Sequence, residues 1–372
     1  MQKLSDLSKT ELSGKYVLLR GSLNVPLRDG QVFDDYRLQQ LFPTISFLKD
    51  AGAKIILIGH IGRELTDTLR PVYEYLENKL PISWGGRVDS KEFAEARAEL
   101  RDGEVLLAEN IRQDVREVEN HIGLTELLAS LAEVYVNDAF ADSHREHASI
   151  YGVAKLLPAY AGLAFADEVE ELSRALEPES PSLFILGGAK FETKMPLLEK
   201  YLDIYDHIFV GGALLNDMLL AEGCEVGKSL VSDVSLQGQE WLNNPKLIKV
   251  IDVVVRSEAG QRICAVSEVR SEEMIIDIGP ETVAALAPII TEAKTVLWNG
   301  PLGLYESGAE GSTHAVAKLL ASSTAFSVIG GGDTVAAIAD LGVADKLGFV
   351  STAGGAMLTF LEKGTLPGLE VL

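Results

Sequence analysis

Ser327-Val-Ile-Gly-Gly-Gly-Asp-Thr334 decides how this chain is read. Ala325 to Ile329 has the apolar character of a buried strand, and Val335 to Asp340 reads as the start of a helix. Glycines at such a turn let backbone N–H groups approach anionic oxygens, and the helix N-terminus adds partial positive charge. Asp333 can cap that helix or hold Mg²⁺ against phosphates. Alone, the stretch fits a tight strand–helix turn with an aspartate cap equally well. Three other stretches repeat the design: Gly187-Gly-Ala-Lys190, Gly211-Gly-Ala213 and Thr352-Ala-Gly-Gly355. Each follows a predicted strand and opens a predicted helix. Together the four turns predict a phosphate-rich ligand on the carboxyl edge of a parallel sheet.

Outward from these turns, strand-like and helix-like segments alternate along the chain. Tyr16–Arg20, Lys54–Gly59, Val105–Ala108 and Val134–Asn137 read as strands of a first sheet. Leu183–Leu186, His207–Val210, Lys249–Val255, Thr295–Trp298, Phe326–Ile329 and Gly348–Val350 read as a second series. Between the strands, Arg37–Ala51 places Leu38, Leu41, Ile45 and Leu48 at helical spacing, and Thr68–Leu80 and Leu124–Ala132 follow the same logic. The alternation predicts an α/β fold of two Rossmann-like lobes, each with a parallel sheet flanked by helices. The expected division is 1–158, a helical join at 159–176 acting as spacer or hinge, and 177–355.

The 372 residues suffice for two such domains, and the 47% hydrophobic and 24% charged fractions are those of a globular enzyme. A net charge of −22 argues against nucleic acid or an anionic membrane as partner, because both are bound by Lys/Arg patches. Cys224 and Cys264 form no disulfide framework, the N-terminus lacks the apolar core of a signal peptide, and no apolar run reaches the ~18 residues of a membrane span. A cytoplasmic location is therefore expected. Zinc-ligand spacing, a Gly-x-Ser-x-Gly elbow and a Walker motif are all absent. So is a Gly-x-Gly-x-x-Gly after the first strand, which weakens a nicotinamide-dependent oxidoreductase.

Against the acidic background, basic residues of the first half cluster at predicted strand ends. Arg37 opens a helix beyond the first strand, His60 and Arg63 follow the second, Arg112 the third and Arg145 the fourth. In a parallel sheet these loops share an edge, so five cationic or potentially cationic groups converge. Such a cluster suits a small ligand with several negative charges, because Arg forks meet phosphate or carboxylate bidentately. The competing reading, in which each arginine pairs with a nearby acid, fits one arginine better than it fits a series at successive strand ends.

With these residues laid out, the chain resembles the phosphoglycerate kinases over essentially its whole length. The resemblance is carried by Asn24-Val-Pro26, His60-Ile-Gly-Arg63, Glu109-Asn-Ile-Arg112 and Asn137-Asp-Ala-Phe140 with His144-Arg145 and His147-Ala-Ser149. In the second half it is carried by Gly187-Gly-Ala-Lys190 with Lys194, Glu225-Val-Gly-Lys-Ser-Leu230, Asp277-Ile-Gly-Pro280, Trp298-Asn-Gly-Pro301 with Glu306, and Gly330-Gly-Gly-Asp-Thr334. It implies a hinge-bending monomer that transfers a phosphoryl group reversibly between 1,3-bisphosphoglycerate and ADP, giving 3-phosphoglycerate and ATP with Mg²⁺. The C-terminal tail, 356–372, is expected to return to the first lobe.

The same resemblance implies the site. Phosphoglycerate falls to Ser22, Leu23, Asn24, Arg37, His60, Ile61, Gly62, Arg63, Arg112 and Arg145. The nucleotide falls to Gly188, Lys190, Lys194, Gly211, Gly212, Asn299, Pro301, Glu306, Gly331, Gly332, Asp333 and Thr334, with Asp333 as the Mg²⁺ ligand. Arg37, Lys194, Gly354 and Gly355 are implied to face the phosphoryl group in transfer. Several positions depart from the family pattern, Met357 in place of a serine among them. Ser22 stands for an aspartate, Ala213 and Ala353 for glycines in their turns, Ile275 for a glycine near the adenine pocket, and Glu64 for a proline. These departures bear on efficiency. They also motivate an alternative in which the chain binds nucleotide or phosphoglycerate with little turnover.

Overall fold

Apolar residues without interruption, Val17-Leu-Leu19, make the first strand a two-sided one. In the computed structural model, which describes residues 1–189 and 191–372 without the side chains of residues 192, 193 and 306, this strand is β1 (Tyr16–Gly21). A hairpin follows, β2 (Leu27–Arg28) and β3 (Gln31–Val32), turned by Asp29 and Gly30 at φ 51° and 76°. Then come β4 (Lys54–Ile58), β5 (Ile82–Gly86), β6 (Val105–Ala108), β7 (Val134–Asp138) and β8 (Ala159–Ala161). Apart from the hairpin, these strands form one parallel sheet in the order β5-β6-β4-β1-β7-β8. Val17, Leu19, Ile55 and Leu57 pack into a core on one face, and Leu18, Ile56, Ile58 and Tyr135 into a core on the other. Burial on both faces is why these strands read as unbroken apolar runs. Each fully buried Leu, Ile or Val contributes about 1.5–3 kcal/mol.

The sheet has two strands more than the sequence predicts, both at its edges. β5 ends in Gly85-Gly86, and the bare Gly85 lets the Phe93 ring close in, where a Cβ would lie 2.6 Å from it. β8 has only three residues and directly follows Pro158. β8 is too short, and β5 gives two of its five positions to glycine, so neither carries the β-branched run by which strands are recognised.

The second half contains β9 (Ser182–Leu186), β10 (His207–Val210), β11 (Asp252–Ser257), β12 (Gly260–Ala265), β13 (Met274–Ile278), β14 (Thr295–Asn299), β15 (Phe326–Gly330) and β16 (Phe349–Ser351). β10-β9-β14-β15-β16 is a parallel sheet, and β12-β11-β13 is a separate antiparallel one. The segment Lys249–Val255 therefore corrects the sequence reading. Its strand starts at Asp252 and belongs to the antiparallel sheet. The physical reason is the two-residue connection after Ser257, which pairs directly with Gly260; so short a link makes a hairpin and no crossover.

Two compact units result, Met1–Glu170 with Thr365–Leu372, and Glu171–Gly364. The boundary falls inside the helix Leu163–Leu176. The expected tail 356–372 is divided. Gly368 N donates to Ser143 O in the first unit at 2.9 Å, whereas the helix Gly355–Lys363 stays in the second. There Tyr201 Oη donates to Leu361 O at 3.0 Å, and Met357, Phe360 and Leu361 are buried.

Candidate functional site

Four neighbouring strands of the first unit, β6, β4, β1 and β7, end at the same edge, and the loops that leave them are tied to one another. Asn24 is the centre of the tie. Its side-chain Oδ1 accepts from Gly62 N at 3.1 Å, and its backbone carbonyl accepts from Arg37 Nη1 at 2.8 Å. Gly62 O in turn accepts from Arg112 Nη1 at 3.1 Å. Asn110 binds the same loop from below, accepting from Ile61 N and Arg112 N and donating to Ile61 O and Asp67 O. Gly62 sits at φ 66°, and a Cβ there would collide with the Asp67 carboxylate that accepts from Arg63 N and Glu64 N. Arg37, His60, Arg63 and Arg112 thus belong to one hydrogen-bonded set of loops.

Beneath them lies a charged cluster that sequence reasoning missed. Arg20, at 0% exposure, donates through Nη2 to His60 Nδ1 at 3.0 Å and to Asp142 Oδ2 at 3.1 Å, and through Nε to Ser149 Oγ at 3.0 Å. Glu117, also buried, accepts from Ser149 N and Ser149 Oγ. A lone arginine closing an apolar run is the one signal that could have exposed the cluster, since a buried charge requires partners. Which acids supply them is a long-range fact.

The electrostatics have a consistent sign. Burial lowers the His60 pKa, and Arg20 and Arg112 add to the effect against the pull of Asp142. Burial together with Arg112, Arg145 and Arg20 drives His147 down to about 4, and His144 is lowered by burial and Arg145. Each of these imidazoles is thus held below the usual histidine range, so His60 is the potentially cationic member of the set and the arginines carry its permanent charge. With His60 Nδ1 accepting from Arg20, its remaining proton is on Nε2. Burial raises the Asp142 pKa, but Arg20, His60 and Arg112 outweigh it and hold the carboxyl far below its usual range. Burial keeps Glu117 high despite Arg20.

Arg112 is the group most visibly awaiting a ligand. Its Nε and Nη2 are buried with no partner among the described residues, and burial and repulsion from Arg20 and Arg145 depress its pKa. Arg63 and Arg145 are exposed, and among the described residues neither has a carboxylate within ion-pair distance; Arg145 Nε instead donates to His144 Nε2 at 3.1 Å. Ser22 is half-buried beside the set, whereas the side chains of Leu23 and Ile61 are in the core and can offer a ligand only their backbone.

In the second unit the four glycine turns separate into two kinds. At the first two, the backbone N–H groups are already engaged. Gly187 donates to Asn299 O, Gly188 to Pro301 O, Gly211 to Leu186 O and Gly212 to Leu302 O, all at 2.8–2.9 Å. A Cβ on Gly187 would lie 2.2 Å from Pro301 O, and one on Gly212 would lie 2.5 Å from Gly188 N. Gly187 and Gly212 make room for close passage of backbone past backbone, and Gly188 and Gly211 for the Lys194 and Leu302 side chains, so these four N–H groups are not free to meet an anion. The other two turns are open. Gly331 (φ 104°) caps the helix Gly332–Leu341, Gly354 (φ 51°) caps the helix Gly355–Lys363, and neither Gly332 nor Gly354 has an atom within 4 Å of a Cβ position. Their first-turn N–H groups have no intrahelical acceptor. Asp333 lies exposed in the first turn and is not the cap, so its carboxylate is left for other use. Thr334 Oγ1 is buried without a partner among the described residues.

Gly188, Gly212, Pro301 and Asp333 line a cavity of about 180 Å³, together with the apolar Leu230, Ile275, Leu302 and Leu304. Gly211 adjoins it, with Leu302 packed where its side chain would be. Asn299 is buried at the end of β14. Lys194, also buried, donates through Nζ to Gly187 O. Lys190 and the Glu306 side chain lie outside the described residues.

Arginine-bearing loops tied to one another in one unit, and in the other an apolar cavity that Asp333, in the first turn of the helix Gly332–Leu341, helps to line, are the equipment of a small-molecule phosphotransferase. A profile of the phosphoglycerate kinase family matches residues 7–364. The phosphoglycerate kinase of Moorella thermoacetica is 42% identical over 399 residues, covering 100% of this chain and 99% of that one. That of Thermus thermophilus is 43% identical over 394 residues, covering 100% of both. The solved phosphoglycerate kinase of Coxiella burnetii superposes with a TM-score of 0.85 at 36% identity, over 99% of this chain and 97% of that one. This chain belongs to the phosphoglycerate kinase family, and is a kinase of glycolysis.

Proposed function

We propose that the chain catalyses reversible phosphoryl transfer between 1,3-bisphosphoglycerate and ADP, with the phosphoglycerate on the first unit and the nucleotide on the second. The observation that carries this is Arg112, whose buried, unpartnered Nε and Nη2 need an anionic acceptor. Arg63 and Arg145 supply further charge, and His60 supplies a neutral donor through Nε2. Arg37, pinned to Asn24, stabilises charge on the phosphoryl group in transfer. Adenine takes the apolar cavity, and the phosphates take the helix starts at Gly332 and Gly355. Lys190, Lys194 and Glu306 are assigned to the nucleotide by family likeness.

The residues present fit Mg²⁺ delivered with the nucleotide. Asp333 is a single available carboxylate, and among the described residues no group of three His, Cys, Asp or Glu forms a protein cage. Mg²⁺ is commonly held by one or two carboxylates plus substrate phosphates. When bound, the ion neutralises phosphate oxygens. The chain's own residues supply positioning and charge, the main demands of phosphoryl transfer, and no side-chain nucleophile is required. No helix among the described residues is long and apolar enough to cross a membrane; by likeness to the glycolytic kinase family we assign the protein to the cytoplasm as a monomer. A coupled assay with 3-phosphoglycerate and Mg-ATP tests the proposal. Turnover that requires both substrates and Mg²⁺ is expected. Binding of both without turnover would leave a binding protein, and failure to bind either would refute the site.

A further inference from the structure

The cavity of the second unit has one polar side chain whose chemistry is half used. Asn216, on the helix Gly212–Ala221, lines the cavity at 3% exposure. Its Nδ2 donates to Leu230 O at 2.9 Å, which fixes which end of the amide is which. Its Oδ1 is buried with no partner among the described residues. Buried amide oxygens are nearly always satisfied, so an acceptor left open at a cavity wall points to a donor that arrives with the ligand. The neighbouring Asp217 is a useful contrast, because its Oδ1 accepts from both Ser232 N and Ser232 Oγ. Loop anchoring therefore consumes the acceptor of Asp217 and only the donor of Asn216.

We infer that Asn216 determines base specificity, its Oδ1 accepting a hydrogen bond from the exocyclic amino group of adenine. The inference rests on the nucleotide reading of this cavity and deepens it. The rest of the lining, such as Leu230, Ile275 and Leu302, offers the base van der Waals contact that any purine satisfies equally. A purine without the amino group leaves Oδ1 buried and unpaired, and a site pays for that in the complex.

The test compares Mg-ADP with the Mg-diphosphate of purine riboside, which lacks only the 6-amino group, by calorimetric titration of the full chain. Wild type should bind ADP about five- to tenfold more tightly, the worth of one neutral hydrogen bond. Asn216→Leu should bring the ratio close to one. Loss of the tie to Leu230 weakens both ligands alike and leaves the ratio unmoved, so a purely structural role would not produce this result. Asn216→Asp keeps an acceptor while losing that tie, and should retain the preference for ADP. Equal affinities in wild type, or a preference that survives in Asn216→Leu, overturns the inference while the nucleotide reading stands. If wild type binds neither diphosphate, the nucleotide reading falls and the inference with it.

Discussion

Replacing Asp142 by Asn tests whether the buried charges under the arginine pocket are coupled as the geometry indicates. Asp142 is the carboxylate that Arg20 contacts at 3.1 Å, and Arg20 has no exposed surface. Removing one partner of a buried pair typically costs about 3–5 kcal/mol, because the other charge stays behind. Here Arg20 keeps Ser149 Oγ, Gly21 O and His60 Nδ1 as acceptors. The expected loss is therefore at the lower end, ~3 kcal/mol. Native-state hydrogen exchange at the amides of β1, β4 and β7 reads it within the first unit. The pH dependence follows from the direction of the Asp142 shift. A carboxyl held below its unfolded value of ~3.9 contributes stability that is fully present above that value and is lost as pH falls toward the folded one. The gap between wild type and Asp142→Asn should thus be constant above about pH 5 and narrow below about pH 4. A loss under ~1 kcal/mol, or a gap that widens in acid, would refute the coupling.

Arg37→Ala should lower kcat by about 10²–10³-fold with smaller changes in either KM, and a variant that keeps most of its kcat would remove Arg37 from the transfer step. Asp333→Asn should weaken Mg-nucleotide binding and spare 3-phosphoglycerate, as separate calorimetric titrations would show; equal losses would contradict its assignment to the nucleotide. Ser22→Asp should raise kcat/KM for 3-phosphoglycerate without changing KM for Mg-ATP, since a charged acceptor holds a substrate hydroxyl more firmly than a neutral one. Lower activity would mean that this site, with Asp142 already buried beneath it, has been rebuilt around serine. Gly187→Ala should destabilise by ~1–3 kcal/mol in urea unfolding, because its Cβ would meet the Pro301 carbonyl, whereas Gly332→Ala should leave stability nearly unchanged.

Much of this was legible in the sequence because central strands and their loops are encoded locally. The run Val105–Ala108 matches β6 residue for residue and Thr295–Trp298 matches β14 to within one residue, since strands buried on both faces need continuous apolar side chains. Edge strands such as β5 and β8 evaded the same logic. That Arg37, His60, Arg63 and Arg112 sit on loops tied to one another was expected from parallel topology. The layer beneath was not, because Arg20, Glu117, Asp142 and Ser149 meet across separations that no spacing rule reports. The glycine turns show the opposite failure. Gly187 and Gly211 look like Gly331 and Gly354 in sequence, and only the neighbouring backbone tells which glycine makes room for a ligand and which for Pro301 or Leu302.

That division has a consequence for how the nucleotide cavity can change shape. Gly188 N to Pro301 O and Gly212 N to Leu302 O stitch two of its walls into one rigid frame. Leu230 and Met274–Ile276 line the same cavity and have side chains where the frame has backbone. Any retuning of this enzyme toward a larger or smaller base, by natural drift or by design, therefore has its freedom at Leu230 and Ile275. The glycines across from them act as the fixed jaw of a vice, and substituting them breaks the tool before it changes the grip.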